Sequence, residues 1–328
     1  MSPRQVVVAT HGHCFDGMAS AAVFSYLLGR LRSGEPLAFK ILSCGYGPNM
    51  SQVPEGWLDG DENAILDFRF TPTSRLHWYF DHHQTGFASE EERAAALAKV
   101  PSSKTAAPQV YHDAKYGSCT RLLADVAARE YGVDTSGLAD LVRWAELIDT
   151  AGFASAADAV RRDEPVLQLA SVVEQHGDRP FLERAVPMLA SRSVEDVARD
   201  PWVQELFGPI AKLYETLGER VKARSRRVGR VVVTDLGDAP MEISAKFMSY
   251  ALYPDAVYSV TLSRGKQHFK LAVGYNPWCG VPCDRNIAAI CKRYGGGGHP
   301  VVGAATFKLA DEAIARAAAE EVARELDG

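Results

Sequence analysis

The chain has 328 residues, with 36 Lys and Arg against 41 Asp and Glu and a formal net charge of −5. That length suggests two domains, each large enough to bury a core, and the acidic balance argues against a dedicated binder of long duplex nucleic acid, which gains affinity by neutralising many phosphates. No apolar run reaches the roughly 18 residues of a membrane span, Met1–Gln5 leads straight into a strand-like run without a signal-peptide pattern, and six scattered cysteines make no disulfide scaffold, so the expected setting is a reducing cytoplasm.

The first 85 residues read as alternating strands and helices. Val6–Thr10 is a short β-branched run, consistent with a buried parallel strand. Gly17–Arg32 carries apolar residues at Met18, Ala21, Phe24, Leu28 and Leu31, a helical period closed by Ser33-Gly34. Phe39–Leu42, Ala64–Leu66 and Leu76–Phe80 are three further strand candidates. The pattern predicts an α/β chain with a doubly wound, mainly parallel sheet, in which ligands bind beyond the carboxyl ends of the strands. Residues 89–108 read as an exposed helix and loop; Gly117–Tyr131 and Leu138–Ile148 as helices; and Asp163–Glu219 as mostly helical with interruptions at Pro180, Pro187, Pro201 and Pro209. Val231–Thr234 opens a second region, in which Val257–Leu262 and Phe269–Val273 alternate like paired strands, Asn286–Tyr294 is helical and Gly295–Gly298 is a loop. The expected organisation is a domain over 1–195, a helical linker over 196–228 and a smaller α/β domain over 229–328, with the boundary near 195–225.

Three of the four early strands end in candidate metal ligands. The first ends in Thr10-His-Gly-His-Cys-Phe-Asp-Gly17, which offers His11, His13, Cys14 and Asp16; the third ends at Asp67; the fourth ends in Asp81-His82-His83. A lone Asp at a strand end is usually a cap or a turn former, but two imidazoles after Trp78-Tyr79-Phe80 are not natural core residues. Carboxylates and imidazoles on one sheet rim can converge on a pair of divalent cations held roughly 3.5–4 Å apart, a layout that serves phosphoryl displacement. Such ligands favour Mn²⁺, Fe²⁺ or Zn²⁺. Far downstream, Gly295–Gly298 followed by His299 could bring backbone N–H groups against an anion, although a flexible turn is the plain alternative.

Together these motifs, spread over both ends of the chain and in order, resemble the DHH/DHHA1 phosphoesterase superfamily; the first loop is similar to its NrnB-like nanoRNase branch. The resemblance implies a catalytic domain with a two-metal, most simply di-manganese, site and a C-terminal substrate-binding cap, with the active cleft between them. It implies His11 and Asp16 as metal ligands, Asp67 as the bridging carboxylate, His82 as a metal ligand, Asp81 as the residue that orients the cluster and His83 as the group facing the phosphate. The family's later aspartate matches Asp149 best, with Asp158 as fallback. Gly296, Gly297, Gly298 and His299 would grip a phosphate or base, and Arg264 would serve as a second anion clamp. Most family members carry Asp where Cys14 stands; a thiolate there would tilt the site toward Zn²⁺ or Fe²⁺, and His13 could compensate if it does not bind.

Other features rank lower. Cys279, Cys283 and Cys291 fit no standard zinc spacing and are expected to be ordinary thiols. Lys222–Arg230 reads as the solvated face of a connecting helix sooner than as a guide for an oligonucleotide, and Trp278 as packing sooner than as a base platform. The expected function is metal-assisted hydrolysis of short single-stranded oligonucleotides, linear dinucleotides or nucleoside bisphosphates. Long duplex and membrane are not expected as partners, and a homodimer is compatible with the sequence. The competing classes are a non-catalytic nucleotide sensor and a pyrophosphatase-like hydrolase.

Overall fold

A computed structural model of the protein describes residues 2–45, 52–98 and 108–328. The chain forms two compact units, one of Met1–Gly152 with Asp163–Phe207, the other of Phe153–Arg162 with Gly208–Gly328. In chain order the elements are β1 (Arg4–His11), α1 (Phe15–Leu31), β2 (Leu37–Cys44), β3 (Glu62–Leu66), β4 (Trp78–Asp81), α2 (Glu90–Ala98), β5 (Gln109–His112), α3 (Cys119–Tyr131), α4 (Ala139–Asp149), α5 (Ala156–Val160), α6 (Pro165–His176), α7 (Arg179–Leu189), α8 (Val194–Ala198) and α9 (Pro201–Arg224). There follow β6 (Ser225–Val228), β7 (Val231–Pro240), α10 (Met248–Leu252), β8 (Tyr258–Arg264), β9 (His268–Tyr275), α11 (Ile287–Lys292), β10 (Gly297–His299), β11 (Val302–Lys308) and α12 (Glu312–Asp327).

The first unit is built on a five-stranded parallel sheet in the order β2-β1-β3-β4-β5. The run Trp78-Tyr79-Phe80 shows why its strands carry no polar alternation. Trp78 and Phe80 meet Phe24 of α1 at 5.8 and 6.4 Å, while Tyr79 meets Phe70 and Phe87 on the opposite face at 5.1 and 5.4 Å. Both faces are covered, so every position is apolar. The register fixes the rim: Thr10 lies opposite Leu66 and Leu66 opposite Phe80, so His11, Asp67 and Asp81 leave the sheet in one row. The chain turns away to opposite sides after β1 and β3, and the crevice at that switch point is where such sheets bind ligands.

The second unit holds a six-stranded mixed sheet in the order β10-β11-β9-β8-β7-β6, parallel only between β7 and β8. Its core joins Val231, Val233, Val260, Leu271 and Val273 to Ile287 and Ile290 of α11 and to Ala315, Ala319, Val322 and Leu326 of α12. The alternation expected over 257–262 and 269–273 is this one-sided burial.

Several expectations are corrected. β5 is a fifth strand of the first sheet, hidden in sequence by its two polar ends, Gln109 and His112. Pro187 and Pro209 do not interrupt helices; each lies inside one, on an exposed face where the carbonyl left without its N–H partner can turn to water. The basic run from Lys222 is not one helical face: it ends α9 and becomes β6, and Arg224, Arg226, Arg227 and Arg230 pair with Asp238, Glu320, Asp255 and Asp284. Apart from these corrections, residues 153–162 group with the second unit, and the main division between the units falls inside α9 at Phe207/Gly208. Of the segment expected as helix and loop over 89–108, residues 99–107 lie outside those described.

Candidate metal centre

The rim of the first sheet brings its candidate ligands together. His82 Nε2 lies 3.6 Å from Asp67 Oδ1, 3.7 Å from Asp16 Oδ2 and 3.4 Å from Asp149 Oδ2. His83 Nδ1 lies 3.6 Å from the same Asp67 Oδ1, and His11 Nδ1 lies 3.7 Å from Asp67 Oδ2. Three sets of donor atoms gather within 4.8 Å of one another: His11, Cys14 and Asp67; Asp67, His82 and His83; and Asp16, His82 and Asp149. Asp67 belongs to two of them and His82 to two.

Each side chain is held by its element. Asp67 directly follows β3 and takes a left-handed backbone, φ 53°, while its N–H donates to Phe80 O at 2.9 Å. A non-glycine residue there costs on the order of 1–3 kcal/mol, and such strain gathers at functional positions. Asp16, in the first turn of α1, is 1% exposed; its Oδ2 accepts from Cys119 N at 2.7 Å and its Oδ1 from Thr120 N at 3.0 Å. His82 Nδ1 donates to Tyr116 O at 3.1 Å, because a carbonyl can only accept, and this turns Nε2 toward the carboxylates. His83 Nδ1 donates to Asp81 Oδ1 at 2.8 Å, and Asp81 is anchored in turn by Tyr79 Oη at 3.0 Å. Asp149 closes α4, a position where the helix dipole disfavours a carboxylate unless a cation faces it.

The charges pull against one another in a revealing way. Burial pushes the Asp67 carboxyl up, but the imidazoles of His11, His82 and His83 outweigh it and hold it at about 2. Burial pulls His82 down, yet Asp67, Asp16 and Asp149 raise it to about 10. His83 is likewise raised against burial, by Asp81 and Asp67. Asp16 is pushed well up by burial and then by Asp67 and Asp149, and the Cys14 thiol by burial and the same three carboxylates. Asp16 lacks a full complement of positive charge.

A divalent cation fits this surplus. Both Asp67 oxygens and His82 Nε2 are buried without a hydrogen-bond partner, an arrangement that costs free energy unless another group satisfies them. The donors are imidazole nitrogens, carboxylate oxygens and one thiol, a set suited to Mn²⁺, Fe²⁺ or Zn²⁺.

Other candidates stand elsewhere. His13, with φ 55°, turns its ring to Glu174 O at 3.1 Å and joins none of the three sets, so it does not compensate for Cys14. Asp158 is engaged by Ser155 Oγ at 2.8 Å in the cap of α5. In the second unit Arg264 ends β8, half-buried, with its Nε buried and unpartnered. The four-glycine loop is corrected: Gly297, Gly298 and His299 form β10, paired with Ala304, Gly303 and Val302, and His299 is exposed beside the hairpin turn. Gly295 and Gly296 give their N–H groups to Lys292 O and Cys291 O, so they are not free to cradle an anion. Cys279, Cys283 and Cys291 are free thiols, and among the described residues they join no ligand group. Trp278 packs edge-on against Phe247 at 5.2 Å and donates from Nε1 to Phe153 O at 2.6 Å.

Sequence reading missed the contacts that hold Asp16 and His82. Ser118-Cys-Thr120 reads as a helix cap, but nothing local links it to an aspartate 103 residues earlier.

No family model matches the sequence, and no curated protein matches it. Solved structures do. A pGpG-specific phosphodiesterase, PggH from Vibrio cholerae, matches with a TM-score of 0.67 at 18% identity, over 99% of this chain and 100% of that one. The DHH domain of a protein from a ribosomal-protein family matches with a TM-score of 0.62 at 13% identity, over 99% and 88% of the two chains. The exonuclease RecJ bound to manganese matches with a TM-score of 0.57 at 14% identity, over 98% and 90%. The rim that carries Asp81-His82-His83 thus stands on the DHH fold, which the chain shares with these proteins over nearly its whole length.

Proposed function

We propose that the protein is a metal-dependent phosphoesterase acting on short substrates: oligonucleotides, linear dinucleotides or nucleoside bisphosphates. The observation that carries this reading is Asp67, a buried carboxylate with both oxygens unsatisfied, common to two sets of ligand atoms. His11, Cys14 and Asp67 would hold one cation; Asp16, His82 and Asp149, with Asp67, the other. Bound there, a pair of divalent ions such as Mn²⁺ supplies a water of lowered pKa as nucleophile.

The chain's own groups do the rest. His83, fixed through Nδ1 by Asp81, presents its other nitrogen to the substrate, where it can give a proton to a phosphoryl or leaving oxygen. Asp81, 0% exposed and braced by Tyr79, prevents the ring from turning. Arg264 and His299 are proposed to bind a second phosphate or a base, which would restrict the enzyme to short chains with a terminal phosphate. The proteins sharing the fold support this reading, since they include a pGpG-specific phosphodiesterase and an exonuclease.

The test is turnover of pApA, pGpG, an RNA pentamer, adenosine 3′,5′-bisphosphate, cyclic dinucleotides and pyrophosphate, each with and without Mn²⁺. Metal-dependent cleavage of one of the short linear nucleotides is expected. Cleavage of pyrophosphate alone, or nucleotide binding without turnover in Mn²⁺, Zn²⁺ and Fe²⁺, would replace the reading with a pyrophosphatase or a sensor.

A further inference from the structure

Two members of the Asp16–His82–Asp149 set, and the helix end that carries the third, are touched by one short segment, 116–120, which contributes no ligand itself. Tyr116 O receives the Nδ1–H of His82. Cys119 N–H and Thr120 N–H give one hydrogen bond to each oxygen of Asp16, and Thr120 Oγ1 donates to the main-chain O of Asp16 at 3.1 Å. Thr120 Oγ1 also lies 3.1 Å from Ser20 Oγ, one turn along α1, so the two helices are locked where Asp16 emerges. Gly117 lies against the end of α4 that carries Asp149: a Cβ added there would stand 2.8 Å from Thr150 Cγ2 and 3.1 Å from Glu146 Cγ.

We propose that the Tyr116–Thr120 segment is a positioning clamp that sets all three ligands of this one cation, through a carbonyl, two amides and a glycine contact. The proposal rests on the reading that Asp16, His82 and Asp149 bind a divalent cation. Its physical content is preorganisation. Asp16 sits at the positive end of α3, both oxygens engaged by main-chain donors, so its carboxylate cannot swing away from His82 Nε2. His82 cannot flip without losing Tyr116 O, and the absence of a side chain at residue 117 lets Glu146 and Thr150, at the end of α4, pack close against it. Loosening any one contact should weaken this cation position and leave the one at His11, Cys14 and Asp67 in place.

Cys119 offers a way to break one of the amide contacts. It is the first residue of α3, where proline is favoured, and Ser118 before it has φ −156° and ψ 153°, which a following proline accepts. Cys119→Pro deletes the N–H to Asp16 and sets the ring Cδ in its place, which pushes aside the Oδ2 that lies 2.7 Å from the nitrogen; Cys119→Ala deletes only the thiol and is the control. Titration with Mn²⁺ alone, followed by electron paramagnetic resonance, should find two ions per wild-type chain. In Cys119→Pro one of the two should weaken by roughly tenfold to a hundredfold, the loss expected for a hydrogen bond to a charged group, with Cys119→Ala unchanged. Gly117→Ala should weaken the same ion, as should Thr120→Val, and Thr120→Ser should restore it. Wild-type affinity for both ions in Cys119→Pro, Gly117→Ala and Thr120→Val, each with unchanged thermal melting, would overturn the clamp. Asp16→Asn and Asp149→Asn separate the two levels. If they too leave both ions in place, the ligand reading itself falls; if they remove one ion while the clamp variants keep it, only the clamp falls.

Discussion

Cation binding at this rim should be strongly pH-dependent, with the sign set by His82. Its imidazole is 10% exposed and is held at about 10 by Asp67, Asp16 and Asp149, so at neutral pH it keeps a proton on the nitrogen that would bind metal. That proton must leave. Three units separate pH 7 from the pKa, and at about 1.4 kcal/mol per unit the displacement costs about 4 kcal/mol at pH 7. Each unit rise in pH removes about 1.4 kcal/mol of that cost, so Mn²⁺ affinity should rise about tenfold per unit until pH approaches 10. Asp16 and Cys14 are both pushed up, so they can add to the proton count but not reduce it. Calorimetry at pH 6.5, 7.5 and 8.5 in buffers of different ionisation heat gives both the slope and the protons released. Cys14→Ser should lower the count by one if the thiol binds as thiolate, and leave it unchanged if it does not. A flat affinity between pH 6.5 and 8.5 with no proton release would refute the placement of His82 Nε2 in the metal set.

Asp67→Asn is the sharpest chemical test, because asparagine tolerates the left-handed backbone and only the charge is lost; metal-dependent turnover should disappear and Mn²⁺ affinity fall by at least about a hundredfold, with melting of the metal-free protein little changed, and retained activity would exclude the shared-carboxylate arrangement. Gly86→Ala should disturb His83 from a distance: the new Cβ would stand 2.0 Å from Asp81 Oδ2, and moving that oxygen breaks its bond to Tyr79. We expect kcat to fall about tenfold or more with both Mn²⁺ ions retained; wild-type kcat would show that Asp81 does not govern His83. His299→Ala and Arg264→Ala should raise KM for a dinucleotide, leaving kcat and metal binding nearly unchanged, and an unaltered KM in both would remove the second unit from substrate binding.

Much of the rim could be read in advance, because a buried parallel strand announces itself as an apolar run and the residue after it is then placed. Ile65-Leu66 puts Asp67 at the edge, and Trp78-Tyr79-Phe80 does the same for the Asp81-His82-His83 triplet. The convergence of Asp16 and Asp149 on His82 could be expected only through resemblance, since both approach from helices. The glycine segment shows the opposite failure. Four consecutive glycines carry no hydrophobic period, so neither the strand pairing of β10 nor the hydrogen bonds that occupy Gly295 and Gly296 leave a trace in composition. β5 was hidden for a related reason: between polar Gln109 and His112 only Val110 and Tyr111 remain, too short a run to show a strand period. The hold of Thr120 on Asp16 joins residues 104 positions apart, a separation at which local pattern carries no information.

The excursion of residues 153–162 has a consequence for biosynthesis. Those ten residues leave the ribosome well before the rest of the unit they belong to, and the carbonyl of Phe153 must wait 125 positions for the indole of Trp278. Meanwhile α6, α7 and α8 return to the unit that began the chain. Neither unit is therefore a contiguous stretch that can finish in order of synthesis, and a fragment beginning at Gly208 would emerge without α5, the neighbour of α10.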